Sequence, residues 1–389
     1  MKRMKEEEKM IEIKNLKKSY KEKPILKGVD LTIKTGELMV IIGSSGCGKT
    51  TLLKTINKLN SIDSGDILLD GISIKNIKET DLRKRIGYVI QEGGLFSHLS
   101  VEDNINLILK ITNYPKDKYE ERVIELLNMV NLDPNEYRYL YPCQLSGGQR
   151  QRVGVARAFA ANPGIILMDE PFSALDPVTR SELQDEVVRL QKQYKKTIVF
   201  VTHDIDEAIK MANRICILEE GQIVQCDTPE NILKHPADEY VEHFVGKKRI
   251  WGNPEYIHVH DIMKKHPICI SHVRSVFQAL QIMHNQAVDS VLVTDHGKLK
   301  GVVWLEDLDK IKDYNTPVSE CVSKNITILH KSATLQNIID TVDFNVSGIM
   351  PVIDDDCRVI GYLTKSIMLA TLSRRYEKNN AIDEGSEIL

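Results

Sequence analysis

Residues 43–50 read Gly-Ser-Ser-Gly-Cys-Gly-Lys-Thr and fit the pattern G-x-x-x-x-G-K-[ST], which cradles the phosphates of a nucleotide. The residues before it, Leu38–Ile42, are all apolar, as expected of a strand buried on both faces of a parallel sheet. After the glycines we predict a helix from about residue 49 to 59, whose positive end favours an anion. A strand, a glycine-rich loop and a helix in this order predict an α/β nucleotide-binding domain.

The loop supplies the first set of candidate site residues. Lys49 is expected to reach the β- and γ-phosphates, and the hydroxyl of Thr50 is expected to bind Mg²⁺. Glycines here allow backbone angles and close approaches that a side chain would block. The predicted phosphate-binding residues are Gly43, Ser44, Ser45, Gly46, Cys47, Gly48, Lys49, Thr50 and Thr51.

Two later apolar runs end in polar side chains. Residues 165–168 lead into Asp169 and Glu170, and residues 198–201 lead towards His203. Because parallel strands bring their carboxyl ends to one edge of the sheet, we expect these side chains beside the loop. Asp169 is a predicted Mg²⁺ ligand, Glu170 is expected to polarise the attacking water, and His203 is a second predicted catalytic residue. A helix-start acid and a structural histidine are the alternative interpretations of Glu170 and His203.

Residues 145–149 read Leu-Ser-Gly-Gly-Gln and precede a predicted helix over residues 147–160. Ser146 begins this helix, so its hydroxyl and the first N–H groups point outward from a positive helix end. Such a tip favours a γ-phosphate. The residues expected to contact it are Ser146, Gly147, Gly148 and Gln149. The loop and the helix tip together predict an ATP-driven machine that works as two copies.

The composition limits the other possibilities. The chain of 389 residues has a net charge of −3, which argues against binding nucleic acid through bulk positive charge. Its seven cysteines form no C-x-x-C pair, so neither a zinc site nor a disulfide framework is expected, and Cys47 suits a reducing compartment. The sequence has no run of about 18 apolar residues, so other chains must form any path across a membrane.

Beyond Pro236 the sequence repeats itself at a spacing of 59 to 60 residues. Each repeat has the pattern strand, helix, strand, strand, helix, and pairing covers a sheet face that one copy would leave open. The corresponding segments are 259–263 with 318–322, 290–295 with 349–354, and 301–303 with 361–363. The predicted divisions are a linker over 239–254, a pair of repeats over 255–375 (about 257–310 and 316–372), and a flexible tail over 376–389.

Residues from about 11 to 236 resemble the ATPase subunit of an ABC transporter, with the family's motifs in order. The resemblance implies a P-loop NTPase domain over residues 1–238 with a helical subdomain, and ATP and Mg²⁺ as cofactors. It implies that Tyr20 stacks on adenine, that Gln91 binds Mg²⁺ in the Q-loop, and that Asp176 lies in the D-loop. Packing at a strand end is the alternative for Tyr20. The signature residues would contact ATP held by a second copy, so a homodimer with two composite sites is implied.

The segment between the two motifs carries the expected helical subdomain. An amphipathic helix is predicted by the spacing of Tyr119, Val123, Leu126, Leu127 and Val130. The sequence has no long coiled-coil insertion and a single set of motifs. Both features argue against the relatives that act in DNA repair, chromosome organisation or translation.

The C-terminal repeat resembles a tandem CBS domain, a regulatory module that often binds adenine nucleotides between its repeats. The family pattern [ST]-x-x-D, whose carboxylate binds a ribose, is incomplete in both copies. Trp304 precedes Asp307 in the first repeat, and Thr364 precedes Ile367 in the second. Simple AMP or ATP sensing is therefore not favoured. Cyclic di-AMP at a CBS dimer, sensing of ionic strength near an anionic membrane, and dimer contacts alone stay open.

An ABC ATPase with a C-terminal CBS pair resembles the energising subunit of osmoprotectant importers, which take up glycine betaine, carnitine or choline. The implied partners are transmembrane permease subunits and an extracytoplasmic solute-binding protein, and nucleic acid is not among them. The implied location is the cytoplasmic face of the cell membrane, as a peripheral subunit. An importer ATPase for another solute, such as an amino acid, and a nucleotide-gated regulator without a transport partner are the alternatives.

Overall fold

The structure is a computed structural model that describes residues 9–91, 94–246, 249–342 and 348–376. The chain divides into two compact units, Met1–Val245 and Gly246–Leu389. Within the described ranges, the helices are too short or too polar to span a lipid bilayer.

The first unit is built from strands and helices that alternate along most of its length. Its strands are β1 (Lys9–Tyr20), β2 (Lys23–Lys34), β3 (Leu38–Ile42), β4 (Ser64–Leu69), β5 (Ile72–Ser73), β6 (Ile86–Val89), β7 (Ile165–Asp169), β8 (Thr197–Thr202), β9 (Arg214–Glu219) and β10 (Gln222–Asp227). Its α-helices are α1 (Lys49–Ile56), α2 (Glu79–Arg85), α3 (Val101–Ile111), α4 (Tyr119–Met129), α5 (Pro134–Tyr137), α6 (Gly147–Phe159), α7 (Pro177–Tyr194), α8 (Ile205–Met211), α9 (Pro229–Lys234) and α10 (Glu239–Val245).

The strand that precedes the glycine-rich loop lies inside the larger sheet, whose order is β10-β9-β3-β8-β7-β6. Neighbouring strands of this sheet run parallel, except that β9 and β10 are antiparallel. A second, antiparallel sheet has the order β2-β1-β4-β5. The predicted α/β fold is therefore confirmed, and the carboxyl ends of β3, β7 and β8 meet at one edge as expected.

Side chains from both sheets and from α1 share one hydrophobic core. Every residue of β3 is buried, which explains its continuous apolar sequence. Helix α1 ends at Ile56, before the predicted residue 59, because Lys58 adopts a left-handed conformation with φ of 50°. The core anchors both ends of the glycine-rich loop to rigid elements. Representative members are Ile11, Leu16, Leu26, Met39, Ile41, Leu52, Leu167, Val199 and Leu218.

Helices α3, α4 and α6 pack on one another as the predicted helical subdomain. Val123, Leu126, Leu127 and Val130 are fully buried, and Tyr119 is half-buried, as their spacing predicts. The subdomain therefore has its own apolar contacts, and these hold α6 against α3 and α4.

The second unit repeats one arrangement of strands and helices. Its strands are β11 (Lys264–Lys265), β12 (Cys269–Ser271), β13 (Ser290–Asp295), β14 (Lys298–Trp304), β15 (Leu329–His330), β16 (Ile349–Ile353) and β17 (Val359–Thr364). Its α-helices are α11 (Val259–Ile262), α12 (Val276–Gln286), α13 (Leu305–Leu308), α14 (Leu335–Thr341) and α15 (Lys365–Tyr376). The predicted order of strand, helix, strand, strand, helix is present in both repeats, with sheets β12-β13-β14 and β11-β17-β16-β15.

The two repeats exchange their leading segments. Strand β11, in the first part of the first repeat, pairs with β17 of the second through Lys264 and Tyr362. The corresponding bridge joins Ser323, in the first part of the second repeat, to Val302 of the first. Each repeat therefore adds backbone pairing to the sheet of the other, and the two repeats are related by pseudo-two-fold symmetry.

The first unit extends beyond residue 238, the end expected from sequence, because residues 239–245 fold as α10. Val241 and Val245 are buried, and the ring of Tyr240 stacks on Phe244 with centroids 5.8 Å apart. The later part of the predicted linker joins the second unit, where Ile250 and Trp251 pack against its core. Two lysines of the linker and the predicted tail after residue 376 lie outside the described residues.

Candidate active site

The glycine-rich loop joins β3 to α1 through positions that exclude a side chain. Gly48 caps α1 with φ of 112°, in the left-handed region that glycine adopts without strain. A Cβ on Gly43 would lie 2.0 Å from the carbonyl oxygen of Leu218, so the loop could not pack against β9 with a larger residue. These glycines therefore shape a loop in which the first N–H groups of α1 can converge on an anion.

Lys49 lies across this loop and is 6% exposed. Its Nζ donates hydrogen bonds to the carbonyl oxygens of Gly43 at 2.8 Å and of Ser44 at 2.9 Å. The ammonium is thus held at the mouth of the loop, where a phosphate oxygen can take over as acceptor.

Thr50 and Asp169 place two hard oxygen ligands side by side. The Thr50 hydroxyl donates to Asp169 Oδ1 at 2.9 Å, and Asp169 at the end of β7 is 5% exposed. A hydroxyl beside a buried carboxylate is a donor set that suits Mg²⁺. The residues present therefore fit the predicted metal, and sequence reasoning chose both of them.

Glu170, Gln91 and His203 form a cluster at the same edge of the sheet. Glu170 Oε2 lies 3.1 Å from His203 Nδ1 and 3.5 Å from Gln91 Nε2. Glu170 adopts a left-handed backbone conformation with φ of 44°, and its N–H donates to the Val201 carbonyl at 3.0 Å. That bond ties a strained residue to the neighbouring strand, as is common for active-site residues.

The signature segment caps helix α6 as predicted. The Ser146 hydroxyl accepts a hydrogen bond from the Gln149 N–H at 3.2 Å, and Gln149 Oε1 accepts from the Ser146 N–H at 2.8 Å. A Cβ on Gly147 would meet Arg150 Nη2 at an ordinary contact distance of 4.0 Å, whereas a Cβ on Gly148 would lie 2.5 Å from Thr179 Cγ2. Gly148 is therefore required by packing against α7, a reason that the sequence did not reveal.

Asp176 begins α7 and stabilises its first turn. Its Oδ1 accepts hydrogen bonds from the N–H groups of Val178 at 3.2 Å and Thr179 at 3.1 Å. Hydrogen bonds from Thr179 lower the pKa of the Asp176 carboxyl below its ordinary value.

Tyr20 ends β1 with 45% of its surface exposed, and Lys18 Nζ lies 5.4 Å from the centre of its ring. Much of the ring is therefore accessible to solvent.

Two tyrosines near the site were missed by sequence reasoning. Tyr88 on β6 lies beside Asp169, and burial together with that carboxylate raises the pKa of its phenol. Tyr240 on α10 lies beside Ser44, and burial raises the pKa of its phenol. No local motif marks either residue, since each reaches the loop edge only through packing of a distant element.

The structure thus brings Lys49, Thr50, Asp169, Glu170, Gln91 and His203 to one sheet edge. Among the described residues, no hydrogen bond joins this group to Tyr20 or to Ser146–Gln149 of the signature segment. The group can bind a phosphate chain and a divalent cation and can orient a water, while the signature tip stays free for another molecule.

The sequence pattern of the ABC transporter family matches residues 26–173, and that of the CBS domain matches residues 259–311 and 318–374. The chain is 44% identical over 364 residues to the choline transport ATP-binding protein OpuBA of Bacillus subtilis (strain 168), covering 92% of this chain and 95% of that one. It is 41% identical over 363 residues to the carnitine transport ATP-binding protein OpuCA of Listeria monocytogenes serotype 1/2a (strain 10403S), covering 92% and 91%.

A solved structure supports the same assignment for the first unit. It is a dimeric ATP-binding cassette in a post-hydrolysis state bound to ADP and Pi, 35% identical with a TM-score of 0.53. The match covers 57% of this chain and 99% of that one. With relatives matched over nearly the whole chain and both kinds of domain found in order, this protein belongs to the ABC transporter family as an ATP-hydrolysing subunit with a tandem pair of CBS domains.

Proposed function

We propose that this ATPase powers the uptake of a quaternary amine osmoprotectant: glycine betaine, carnitine or choline. The observation that carries the proposal is the match over 92% of the chain to the choline and carnitine transport proteins. That match includes the CBS pair as well as the ATPase unit. The chain then acts as a peripheral subunit on the cytoplasmic face of a membrane, beside permease subunits and an extracytoplasmic solute-binding protein.

The site chemistry assigns a role to each clustered residue. Residues 43–51 and Lys49 bind the phosphates of ATP, while Thr50, Gln91 and Asp169 hold Mg²⁺, which neutralises charge on the phosphates when bound. Glu170 accepts a hydrogen bond from the attacking water and polarises it. His203 holds the Glu170 carboxylate through the 3.1 Å contact. Support comes from the hydrogen bonds that already join these groups, since positioning and charge supply most of the catalysis in phosphoryl transfer.

The signature tip completes the site of a second copy. Ser146 uses its oxygen to cap α6, so its O–H and the free N–H groups of Gly147 and Gly148 can donate to a γ-phosphate of the partner. Asp176 lies in the D-loop beside this interface. A symmetric dimer would close two such sites with ATP between the subunits, and Tyr20 would stack on the adenine.

A groove at the helical subdomain suits a permease segment. Its volume is about 720 Å³, and it lies where α6 and β6 approach the Q-loop. Ile90, Phe96 and Ile111 line it and are about half exposed, so apolar surface is open to water there. An amphipathic helix of a membrane subunit could bury this surface and transmit closure of the dimer.

The CBS pair supplies regulation. A cleft of about 310 Å³ between the repeats is lined by Trp304 and Thr364 from the incomplete ribose motifs, but Asp307 is paired with Lys310 at 3.0 Å instead. The acidic side chain that lines this cleft is Asp289, which lies outside the ribose motif, so AMP lacks the carboxylate that the motif supplies. Cyclic di-AMP at an interface between two CBS pairs is the ligand that we propose. Calorimetry of the full chain with AMP and with cyclic di-AMP tests it, and tight AMP binding alone contradicts it.

The decisive experiment for the solute uses the whole transporter. The chain, its permease subunits and its solute-binding protein would be reconstituted in proteoliposomes, and ATP hydrolysis measured with glycine betaine, carnitine, choline and glutamine. We expect one or more quaternary amines to accelerate hydrolysis and to accumulate in the lumen. Acceleration by glutamine alone would favour an amino-acid importer, and solute-independent hydrolysis without permease binding would favour a regulator.

A further inference from the structure

Two cysteines of the first unit face each other across the β9–β10 hairpin. Cys216 and Cys226 are directly opposite in this antiparallel pair, so their side chains lie on the same face of the sheet. Opposite residues in such a pair have Cα atoms about 4.5–5.5 Å apart. A disulfide needs Cα atoms about 4.4–6.8 Å apart, so the backbone already fits one.

The surroundings make the two thiols different. Cys216 is fully buried in the core, whereas Cys226 is half-buried. The guanidinium of Arg214 donates from Nη2 to Cys226 Sγ at 3.0 Å, and the same group is fixed by the Thr32 carbonyl at 3.1 Å and by Glu37 Oε1 at 3.3 Å. A cation is therefore held in place on the sulfur that solvent can reach.

The surroundings shift the pKa values of the two thiols in opposite directions. A hydrogen bond from Cys216 and then the Arg214 charge lower the pKa of Cys226, against the opposing effects of burial, Glu37 and Asp227. The hydrogen bond to Cys226 and burial raise the pKa of Cys216. Cys226 therefore ionises more readily than Cys216, which is the arrangement of an attacking and a resolving cysteine.

We propose that Cys226 and Cys216 form a thiol modification site that a peroxide converts to a reversible disulfide. The Cys226 thiolate attacks one peroxide oxygen, the O–O bond breaks, and hydroxide or alkoxide leaves with its electron pair. The sulfenic acid so formed on Cys226 is attacked by the Cys216 sulfur, with loss of one water. Two thiols and one peroxide yield one disulfide, one water and one alcohol or second water.

The other cysteines lack this combination. Burial raises the pKa of Cys47, and burial also raises the pKa of Cys269 and of Cys321. Cys143 and Cys357 are exposed, and among the described residues neither has an arginine hydrogen-bonded to its sulfur. They serve as internal reference thiols for the reactivity of Cys226.

The modified pair would lie next to the phosphate loop. Cys216 is the register partner of Ile41 on β3, and the turn of the hairpin is bonded to the loop, with the Gly221 N–H donating to the Cys47 carbonyl at 3.1 Å. A covalent bond across β9 and β10 fixes the twist of that hairpin. We expect it to slow ATP hydrolysis several-fold and reversibly.

The test uses the full chain, reduced and then treated with hydrogen peroxide. Trypsin leaves both cysteines in one peptide, residues 215–234, because no lysine or arginine lies between them. Further cleavage after Glu219 and Glu220 separates the two halves unless a disulfide joins them. We expect a joined pair after peroxide, separate halves after reduction, and alkylation of Cys226 in the untreated protein faster than that of Cys143.

Variants separate the two roles. Cys216→Ser should keep fast alkylation of Cys226 and give a sulfenic acid that dimedone traps, but no internal disulfide. Cys226→Ser should give neither the trapped sulfenic acid nor the internal disulfide. Cys357→Ser should behave like the unaltered chain. Halves that separate after peroxide treatment of the folded chain, or alkylation of Cys226 no faster than that of Cys143, would overturn the site. A joined pair with an unchanged ATPase rate would overturn its coupling to the phosphate loop.

Discussion

We propose Glu170 as the carboxylate that activates water, because His203 and Gln91 contact it while Thr50 and Asp169 are the proposed metal ligands. We predict that Glu170→Gln slows ATP turnover about 10²–10⁴-fold, the usual contribution of a general base. ATP binding should persist because the phosphate contacts come from the loop. Steady-state ATPase rates and a fluorescent-nucleotide titration measure the two effects.

The matched control for this substitution is Glu121→Gln, an equivalent change at an exposed position of α4. It should leave both the turnover and the nucleotide affinity unchanged. Turnover of Glu170→Gln near that of the control would remove Glu170 from the proposed role.

Single residues were predictable from sequence where a strand end fixed them. Asp169 ends the buried strand β7 and His203 follows the buried strand β8, and parallel pairing of these strands brings both residues to the loop. Tyr88 and Tyr240 were not predictable, since their positions depend on how β6 and α10 pack near the loop. The role of Gly148 was hidden for the same reason, because its neighbour Thr179 is distant in sequence.

Helix α6 carries the signature residues at its N-terminus, and the proposed dimer makes the function of this helix testable. We predict that chains carrying Lys49→Ala and chains carrying Ser146→Arg complement each other when mixed. In a mixed dimer both lesions fall in one composite site and the other site is intact. ATP hydrolysis, measured as phosphate release, should appear in the mixture and stay near background in each parent.

Mixed dimers must be shown to form, for instance by pulling down one tagged parent with the other. If they form and the mixture stays as inactive as its parents, the in-trans position of Ser146 loses its support.

A buried carboxylic acid on α8 joins this helix to β8 and to α7. Glu207 on α8 accepts hydrogen bonds from the Thr202 hydroxyl at 2.6 Å and from Gln184 of α7 at 3.3 Å. Burial raises the pKa of Glu207 above its ordinary value of 4.5. From 4.5 up to that raised pKa the native state keeps a proton that the unfolded state has lost, so the free energy of unfolding falls as pH rises.

We predict that Glu207→Gln makes the free energy of unfolding less dependent on pH above 4.5, because the amide cannot ionise. Urea denaturation at several values between about pH 5 and 8 measures the slope. Glu121→Gln should retain the slope of the unaltered chain. Equal slopes for Glu207→Gln and the unaltered chain would show that Glu207 is ionised in both states.

Elements were predicted best where periodicity was strong. The bounds of β3 agree with the apolar run, and α4 presents the expected face. The ends of helices were less predictable. Helix α1 ends at Ile56 because Lys58 adopts a left-handed conformation, and neither glycine nor proline marks this position in the sequence. A lysine tolerates that conformation only at a cost that the surrounding packing must offset.

At the scale of the whole molecule, the repeat predicted two similar halves but not the exchange of their leading segments. Ile257 and Val259 lie in the core of the second repeat, whereas Val318 lies in that of the first. A spacing of similar residues gives the same pattern whether each segment folds onto its own copy or onto the other. The exchange means that neither repeat has a complete core alone, so we expect the pair to fold as one cooperative unit.

The boundary of the ATPase unit gives the last prediction. Fragments ending at residue 238 and at residue 245 differ by α10, whose Val241 and Val245 are buried at 0% and 3% exposure. Burying one valine side chain stabilises by about 1.5–3 kcal/mol in transfer terms, and the cost of ordering the helix removes part of that gain.

We therefore predict that the shorter fragment is less stable than the longer one by about 2–4 kcal/mol, with a Tm lower by about 4–16 °C for a unit of this size. Thermal unfolding followed by circular dichroism compares them. The substitution of both valines by alanine in the longer fragment should reproduce most of the loss, since it removes the burial and keeps the helix. Equal Tm values for the two fragments would place the end of the unit at residue 238 and make α10 an appendage.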